Sequence, residues 1–77
     1  MKMNINDFKF EMTGYGLYRV IYTTPVRGDY WSAIISDMLL IDNTKNAEEP
    51  TQSAMKWLRR SVKTHGTHYS KTGERID

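Results

Sequence analysis

The sequence predicts an α+β fold: a small antiparallel β-meander of three to four strands, followed by one C-terminal amphipathic α-helix packed on one sheet face. Residues 5–36 contain short apolar and aromatic stretches separated by turns with glycine or proline. From about residue 50 to residue 65 the apolar residues instead recur at helical spacing. A chain of 77 residues forms one domain, which we place at residues 1–69, followed by a flexible basic tail at 70–77.

The first two strands are predicted from alternation and composition. Apolar residues alternate imperfectly over residues 5–12, which predicts the first strand. Two glycines within residues 13–16 indicate a turn. Residues 17–24 are rich in β-branched and aromatic side chains, which favour a second strand. Residues 25–29 contain proline and glycine and therefore end it.

A third strand is predicted over residues 30–36, and it places Trp31, Ala33 and Ile35 on one face. Residues 37–42 either extend this strand past a bulge or form a short fourth strand. One helix cannot cover both faces of such a sheet, so the second face is expected to be exposed or to meet a partner. Some of Phe10, Tyr18, Tyr22 and Tyr30 are expected to lie on that face, and the sequence does not assign which.

The predicted helix covers residues 50–65. Glu48 and Glu49 lie where the helix dipole favours negative charge, Pro50 suits a first helical position, and Gly66 stands at the C-terminal cap. The apolar arc and the opposite basic arc identify the two faces of the helix. The apolar arc holds Ala54, Met55, Leu58, Val62 and His65; the basic arc holds Lys56, Arg59, Arg60 and Lys63, with Trp57 at the boundary.

Composition excludes several classes of protein. The chain has no cysteine, which excludes disulfides and cysteine-based zinc sites and favours a reducing, cytoplasmic location. No signal-peptide-like or membrane-spanning apolar run occurs, and the chain starts with Met, so we expect a small, soluble, complete gene product. His65 and His68 have no third ligand at zinc spacing. We predict no catalytic residues, no metal and no cofactor, and therefore no enzyme.

Charge is distributed unevenly along the chain, and this is the main functional signal. Residues 1–51 hold five Lys and Arg against seven Asp and Glu, whereas residues 52–77 hold six against two. Basic residues on one helical arc beside a tryptophan are typical of surfaces that bind phosphate and stack a base. The predicted partner-binding residues are Lys56, Trp57, Arg59, Arg60, Lys63, Lys71 and Arg75.

Two functions are compatible with this pattern. The first is a small non-enzymatic binding or regulatory protein whose basic helix and tail contact an anionic partner, with nucleic acid as the expected partner. The alternative is a compact modulator or inhibitor, for example one encoded by a phage or mobile element, that binds an acidic surface of a host protein. Neither function involves a membrane or a small-molecule substrate.

Overall fold

The computed structural model describes residues 3–36, 38 and 51–76, which form a five-stranded antiparallel sheet with one α-helix packed on it. A short 3₁₀ helix (Ile5–Asp7) precedes the strands β1 (Phe8–Gly14), β2 (Leu17–Thr23) and β3 (Tyr30–Ser36). Helix α1 (Gln52–His65) is followed by β4 (Thr67–Tyr69) and β5 (Arg75–Ile76). The spatial order is β1-β2-β3-β4-β5, so the α+β class is confirmed, with more strands than the three to four expected.

The first strand begins later than predicted, because a capped turn occupies residues expected to be extended. The side chain of Asn4 accepts a hydrogen bond from the backbone N–H of Asn6 at 2.9 Å. The Asp7 carboxylate accepts from the backbone N–H of Asn4 at 3.4 Å, which completes a capping box. Ile5–Asp7 therefore form a 3₁₀ turn, and β1 starts at Phe8.

The register of the strands decides which side chains face the helix. Phe8 lies opposite Tyr22, and Tyr22 lies opposite Trp31, so even-numbered residues of β1 and β2 share a face with odd-numbered residues of β3. Helix α1 packs on β3 and β2. The buried core comprises Phe8, Tyr18, Val20, Tyr22, Ala33, Ile35, Met55, Leu58 and Val62.

The face away from α1, called the open face below, follows from the same register. Of the four aromatic candidates for exposure, Tyr30 lies on the open face. The other three lie on the helix side of the sheet: Tyr18 and Tyr22 are buried at even-numbered positions of β2, and Phe10 is partly buried at an even-numbered position of β1. The prediction for residues 37–42 lies outside the described residues, apart from Met38, whose side chain is exposed.

Helix α1 begins as its sequence signals suggest. Thr51 is the N-cap residue, and its hydroxyl accepts a hydrogen bond from the backbone N–H of Ala54 at 3.0 Å. The predicted start residues Glu48, Glu49 and Pro50 lie outside the described residues. Within the apolar arc Met55, Leu58 and Val62 are buried, while Ala54 is partly buried and His65 is exposed.

Gly66 ends the helix for a reason that the sequence does not show. Its backbone is extended, and its N–H donates to the carbonyl of Val62 at 2.8 Å. A Cβ at this position would lie 2.5 Å from the Ser32 carbonyl oxygen and 2.4 Å from that of Val62. The chain passes so close to β3 that only glycine fits, which allows β4 to pair with β3 immediately after the helix.

The C-terminal segment 70–77, predicted to be a flexible basic tail, contains part of a hairpin. β4 pairs with β3 on one side and with β5 on the other. The Ser70 backbone N–H donates to the Glu74 carbonyl at 2.6 Å, and that of Gly73 donates to the Ser70 carbonyl at 2.9 Å. These strands lack a periodic apolar pattern because they are only three and two residues long. The flexibility of residues 70–77 stays a prediction.

Leu58→Ala should lower the free energy of unfolding by about 2–5 kcal/mol, because Leu58 is fully buried between the helix and the sheet. Chemical denaturation measures the loss. Thr64→Ala, at an exposed position of the same helix, should change stability by less than about 0.5 kcal/mol. Equal stability of the Leu58→Ala and Thr64→Ala proteins would show that α1 does not hold the core together.

The β4–β5 hairpin should open before the rest of the sheet. Residues 71–76 are exposed and β5 is two residues long, so opening it separates few buried groups. Backbone N–H groups of β5 should exchange with solvent at least about tenfold faster than those at the centre of β3. Hydrogen exchange followed by NMR measures both. Equal protection of Ile76 and Ala33 would contradict the prediction of a flexible C-terminal segment.

Candidate functional site

The basic arc of α1 forms one continuous surface. Lys56, Arg59, Arg60 and Lys63, together with Thr64, line a shallow concavity of about 420 Å³ on the outer side of the helix. Three of the four cations are exposed, and Arg59 is partly buried at the flank of the helix. We call these four residues the basic concavity. The helical spacing predicted this grouping, because residues three and four apart are neighbours on a helix.

The four cations repel one another. Lys56 is a helical neighbour of both Arg59 and Arg60, and Lys63 is a neighbour of the same two arginines. Like-charged pairs at these spacings cost about 0.2–0.5 kcal/mol each. The helix therefore carries a repulsion that an anionic partner would relieve.

Carboxylates within the described residues do not neutralise this surface. The ion pairs there join Arg19 to Glu11, and Arg27 and His68 to Asp29. Among the described residues, Asp7 lines a pocket of about 170 Å³ together with Arg59 but does not form an ion pair with it. Over the part of the chain that the structure describes, the basic concavity keeps its full positive charge.

Lys63 also contacts two aromatic side chains on the helix side of the sheet. Its Nζ lies 4.5 Å from the ring centroid of Trp31 and 5.9 Å from that of Tyr22. A cation at this distance from an indole ring is attracted by the negative face of the ring. Lys63 is therefore held at the flank of the helix, whereas Lys56 and Arg60 project from its outer side.

Trp57 lies apart from the basic concavity. It lines a different pocket, on the other flank of α1, with Ile34, Ile35, Ser61 and His65 among its neighbours. Its indole is partly buried and packs against the core. The sequence placed Trp57 at the boundary of the two arcs, and the structure places it at the boundary away from Arg59. Its role in stacking a base stays a prediction.

The remaining predicted residues do not join the basic concavity. Arg75 lies opposite Tyr69 in the β4–β5 strand pair, and Tyr69 lies opposite Tyr30 in the β3–β4 strand pair. Arg75 is therefore on the open face, on the opposite side of the sheet from α1. Lys71 lies in the β4–β5 turn, where its side chain approaches Gly28 in the β2–β3 turn. The seven predicted binding residues therefore occupy several separate regions, and the structure brings four of them together.

A polar cluster that sequence reasoning missed joins the β2–β3 turn to β4. Asp29 is 7% exposed, and its carboxylate accepts a hydrogen bond from the Thr24 hydroxyl and contacts His68 Nε2 at 2.6 Å. Because an ionised carboxylate only accepts hydrogen bonds, the proton lies on Nε2 of His68. The imidazole stacks on Trp31, with ring centroids 3.8 Å apart and planes 2° apart. No sequence pattern signals this cluster, since Asp29 and His68 are 39 residues apart.

The cluster favours the ionised form of Asp29. Its pKa is lowered first by the hydrogen bond from Thr24 and then by the contact with His68. Burial opposes this by raising the pKa, and the positive charge of Arg27 lowers it further. Asp29 is therefore a structural anion that fixes the turn and the short strand β4 against each other.

The described residues contain no group of three or more His, Asp or Glu side chains placed to hold a metal ion. His65 is exposed at the end of α1, and His68 is engaged with Asp29. Among the helices in that part of the chain, none combines the length and apolar character needed to cross a membrane.

No protein-family model, curated protein or solved structure matches this chain.

Asp29→Asn should lower the melting temperature at pH 7, and the difference from wild type should shrink in acid. The pKa of Asp29 is lower in the folded protein than the usual value of about 3.9 in an unfolded chain. Its stabilisation is thus complete above that value and is lost as the pH falls through the folded pKa. Thermal melts at pH 7 and pH 2 measure the difference.

The exposed carboxylate of Glu74 provides the matched control. Glu74→Gln removes the same charge and should leave the melting temperature near that of wild type at both pH values. A difference between wild type and the Asp29→Asn protein that is as large at pH 2 as at pH 7 would show that the ionised carboxylate is not what stabilises the fold.

Proposed function

We propose that this chain is a small cytoplasmic, non-enzymatic protein that binds the phosphate backbone of nucleic acid through the basic concavity. The observation that supports the proposal is the grouping of Lys56, Arg59, Arg60 and Lys63 around one concavity without an ion-pairing carboxylate among the described residues. Mutual repulsion of these cations costs stability in the free protein, so their clustering is better explained by a partner than by the fold.

The dimensions of the surface suit a polyanion. From Lys56 to Lys63 the helix rises about 10 Å. A duplex presents about six phosphate charges over that length, more than the four cations provide. Contacts of this kind position a protein on nucleic acid without selecting a sequence. We therefore expect binding with little sequence preference and a strong dependence on salt.

Fluorescence anisotropy with a labelled 20-base-pair duplex and a labelled 20-nucleotide single strand tests the proposal. If all four cations reach phosphates, the slope of log K against log[salt] should be about −3.6 on the duplex and about −2.8 on the single strand. Arg60→Glu should weaken binding to every sequence tried and reduce the magnitude of the slope by about one. Arg60 is preferred to Lys63 as a target because Lys63 also contacts Trp31.

Arg75→Glu is the matched control, because it makes the same change of charge on the open face of the sheet. It should affect affinity much less than Arg60→Glu. Equal losses from the two variants would mean that net charge, and not the basic concavity, causes binding. Absence of any anisotropy change at micromolar protein in low salt would end the nucleic-acid proposal.

A protein partner remains the second proposal. The open face exposes Leu17 and Ile34 to 41% and 50%, and on the same face Tyr30 stacks on Tyr69. Apolar and aromatic side chains of this kind anchor protein interfaces. A modulator of a host protein would keep its partner in a lysate pull-down after nuclease treatment, whereas a nucleic-acid-mediated association would be lost. The Ile34→Lys protein should lose the protein partner that nuclease treatment leaves bound.

A further inference from the structure

Strand β1 is a long edge of the sheet. It pairs with β2 on one side, and no strand among the described residues pairs with it on the other. β1 has seven residues, whereas β5 at the opposite edge has two. Unpaired backbone N–H and C=O groups along an edge of this length are a template for pairing with another strand.

The alternation of hydrogen-bonded pairs along the sheet shows which backbone groups of β1 point away from β2. The Thr24 N–H donates to the Asp29 carbonyl at 2.9 Å, and these two residues continue the β2–β3 register one position beyond the Thr23–Tyr30 pair, as a hydrogen-bonded position. Hydrogen-bonded and non-hydrogen-bonded pairs alternate in an antiparallel ladder. Even-numbered residues of β2 therefore bond to β3, and odd-numbered ones bond to β1. The outward groups of β1 are then those of Phe8, Phe10 and Met12.

The same three residues carry apolar side chains on the helix side of the sheet. Helix α1 packs on β3 and β2, and it leaves the edge incompletely covered. Phe10 is only partly buried, and Met12 is 72% exposed. Within the described residues, this edge thus combines backbone groups that no strand pairs with and apolar side chains that α1 leaves partly or largely exposed.

Charges on the open face of β1 determine what the edge can pair with. Lys9 and Glu11 are exposed and flank Phe10. We propose that β1 pairs antiparallel with β1 of a second copy of this chain, about a twofold axis at Phe10. Lys9 of each copy then lies opposite Glu11 of the other, as a non-hydrogen-bonded pair whose side chains are close.

Axes at the two charged residues that flank Phe10 are less favourable. An axis at Lys9 places two lysines opposite each other, and an axis at Glu11 places two glutamates opposite each other, which destabilises a strand pair. With the axis at Phe10 the two copies of Phe10 form a hydrogen-bonded pair, and each Phe8 lies opposite Met12 of the other copy. Paired residues point to the same face, so both α1 helices lie on one side of a continuous ten-stranded sheet.

Reversing the charges one at a time tests the pairing. Lys9→Glu places glutamates opposite each other, and Glu11→Lys does the same with lysines. For each variant alone, the dissociation constant of the dimer should be at least about tenfold higher than that of wild type. An equimolar mixture of the two variants restores both opposite-charge pairs, as does the Lys9→Glu/Glu11→Lys double variant, so both should dimerise like wild type. Sedimentation velocity over a concentration series at low salt measures each mass.

The controls separate pairing from folding and from net charge. Lys71→Glu makes the same change of charge in the β4–β5 turn and should leave the dimer intact. Glu11→Lys also removes the ion pair with Arg19, so circular dichroism melts must show that both single variants are folded. A wild-type protein that is monomeric at several hundred micromolar overturns the proposal. Failure of the two folded single variants to associate when mixed overturns it as well.

Discussion

The fold depends on the contact between the apolar arc of α1 and the helix-facing side of β2 and β3. Leu58 and Val62 are fully buried against a sheet face that includes Val20, which is fully buried too. A short antiparallel sheet gains little from its own hydrogen bonds in water, so burial of this face supplies most of the driving force for folding. Gln52, which exchanges two hydrogen bonds of 2.9 Å with the backbone of Met3, joins the start of the helix to the start of the chain.

Packing of the helix on one face also decides where the functional surfaces lie. Because its apolar arc is committed to the core, the basic arc must face solvent, and the four cations become neighbours. The Lys63 side chain shows how the two arcs meet, since its charge lies over Trp31 and Tyr22 at the edge of the core. The core thus positions one cation directly and the other three through the rigidity of the helix.

The nucleic-acid proposal and the β1-pairing proposal rest on different parts of the molecule and are independent in their tests. The basic concavity belongs to α1, whereas the proposed twofold pairing belongs to β1. If both hold, the two basic concavities lie on the same side of one sheet, because paired strand residues share a face. Simultaneous contact of both with one nucleic acid would then raise the apparent affinity without any new contact within a subunit.

The sequence by itself determined the fold class, the start of β3, the burial of Leu58 and Val62 in α1 and the grouping of its four cations, because each follows from local periodicity. Tertiary structure alone decided the rest. Strands β4 and β5 are too short to show a pattern and form because Gly66 lets the chain pass close to β3. The Asp29–His68 contact, the burial of Tyr18 and the separation of Arg75 from the helix follow from strand register, which depends on residues far apart in sequence.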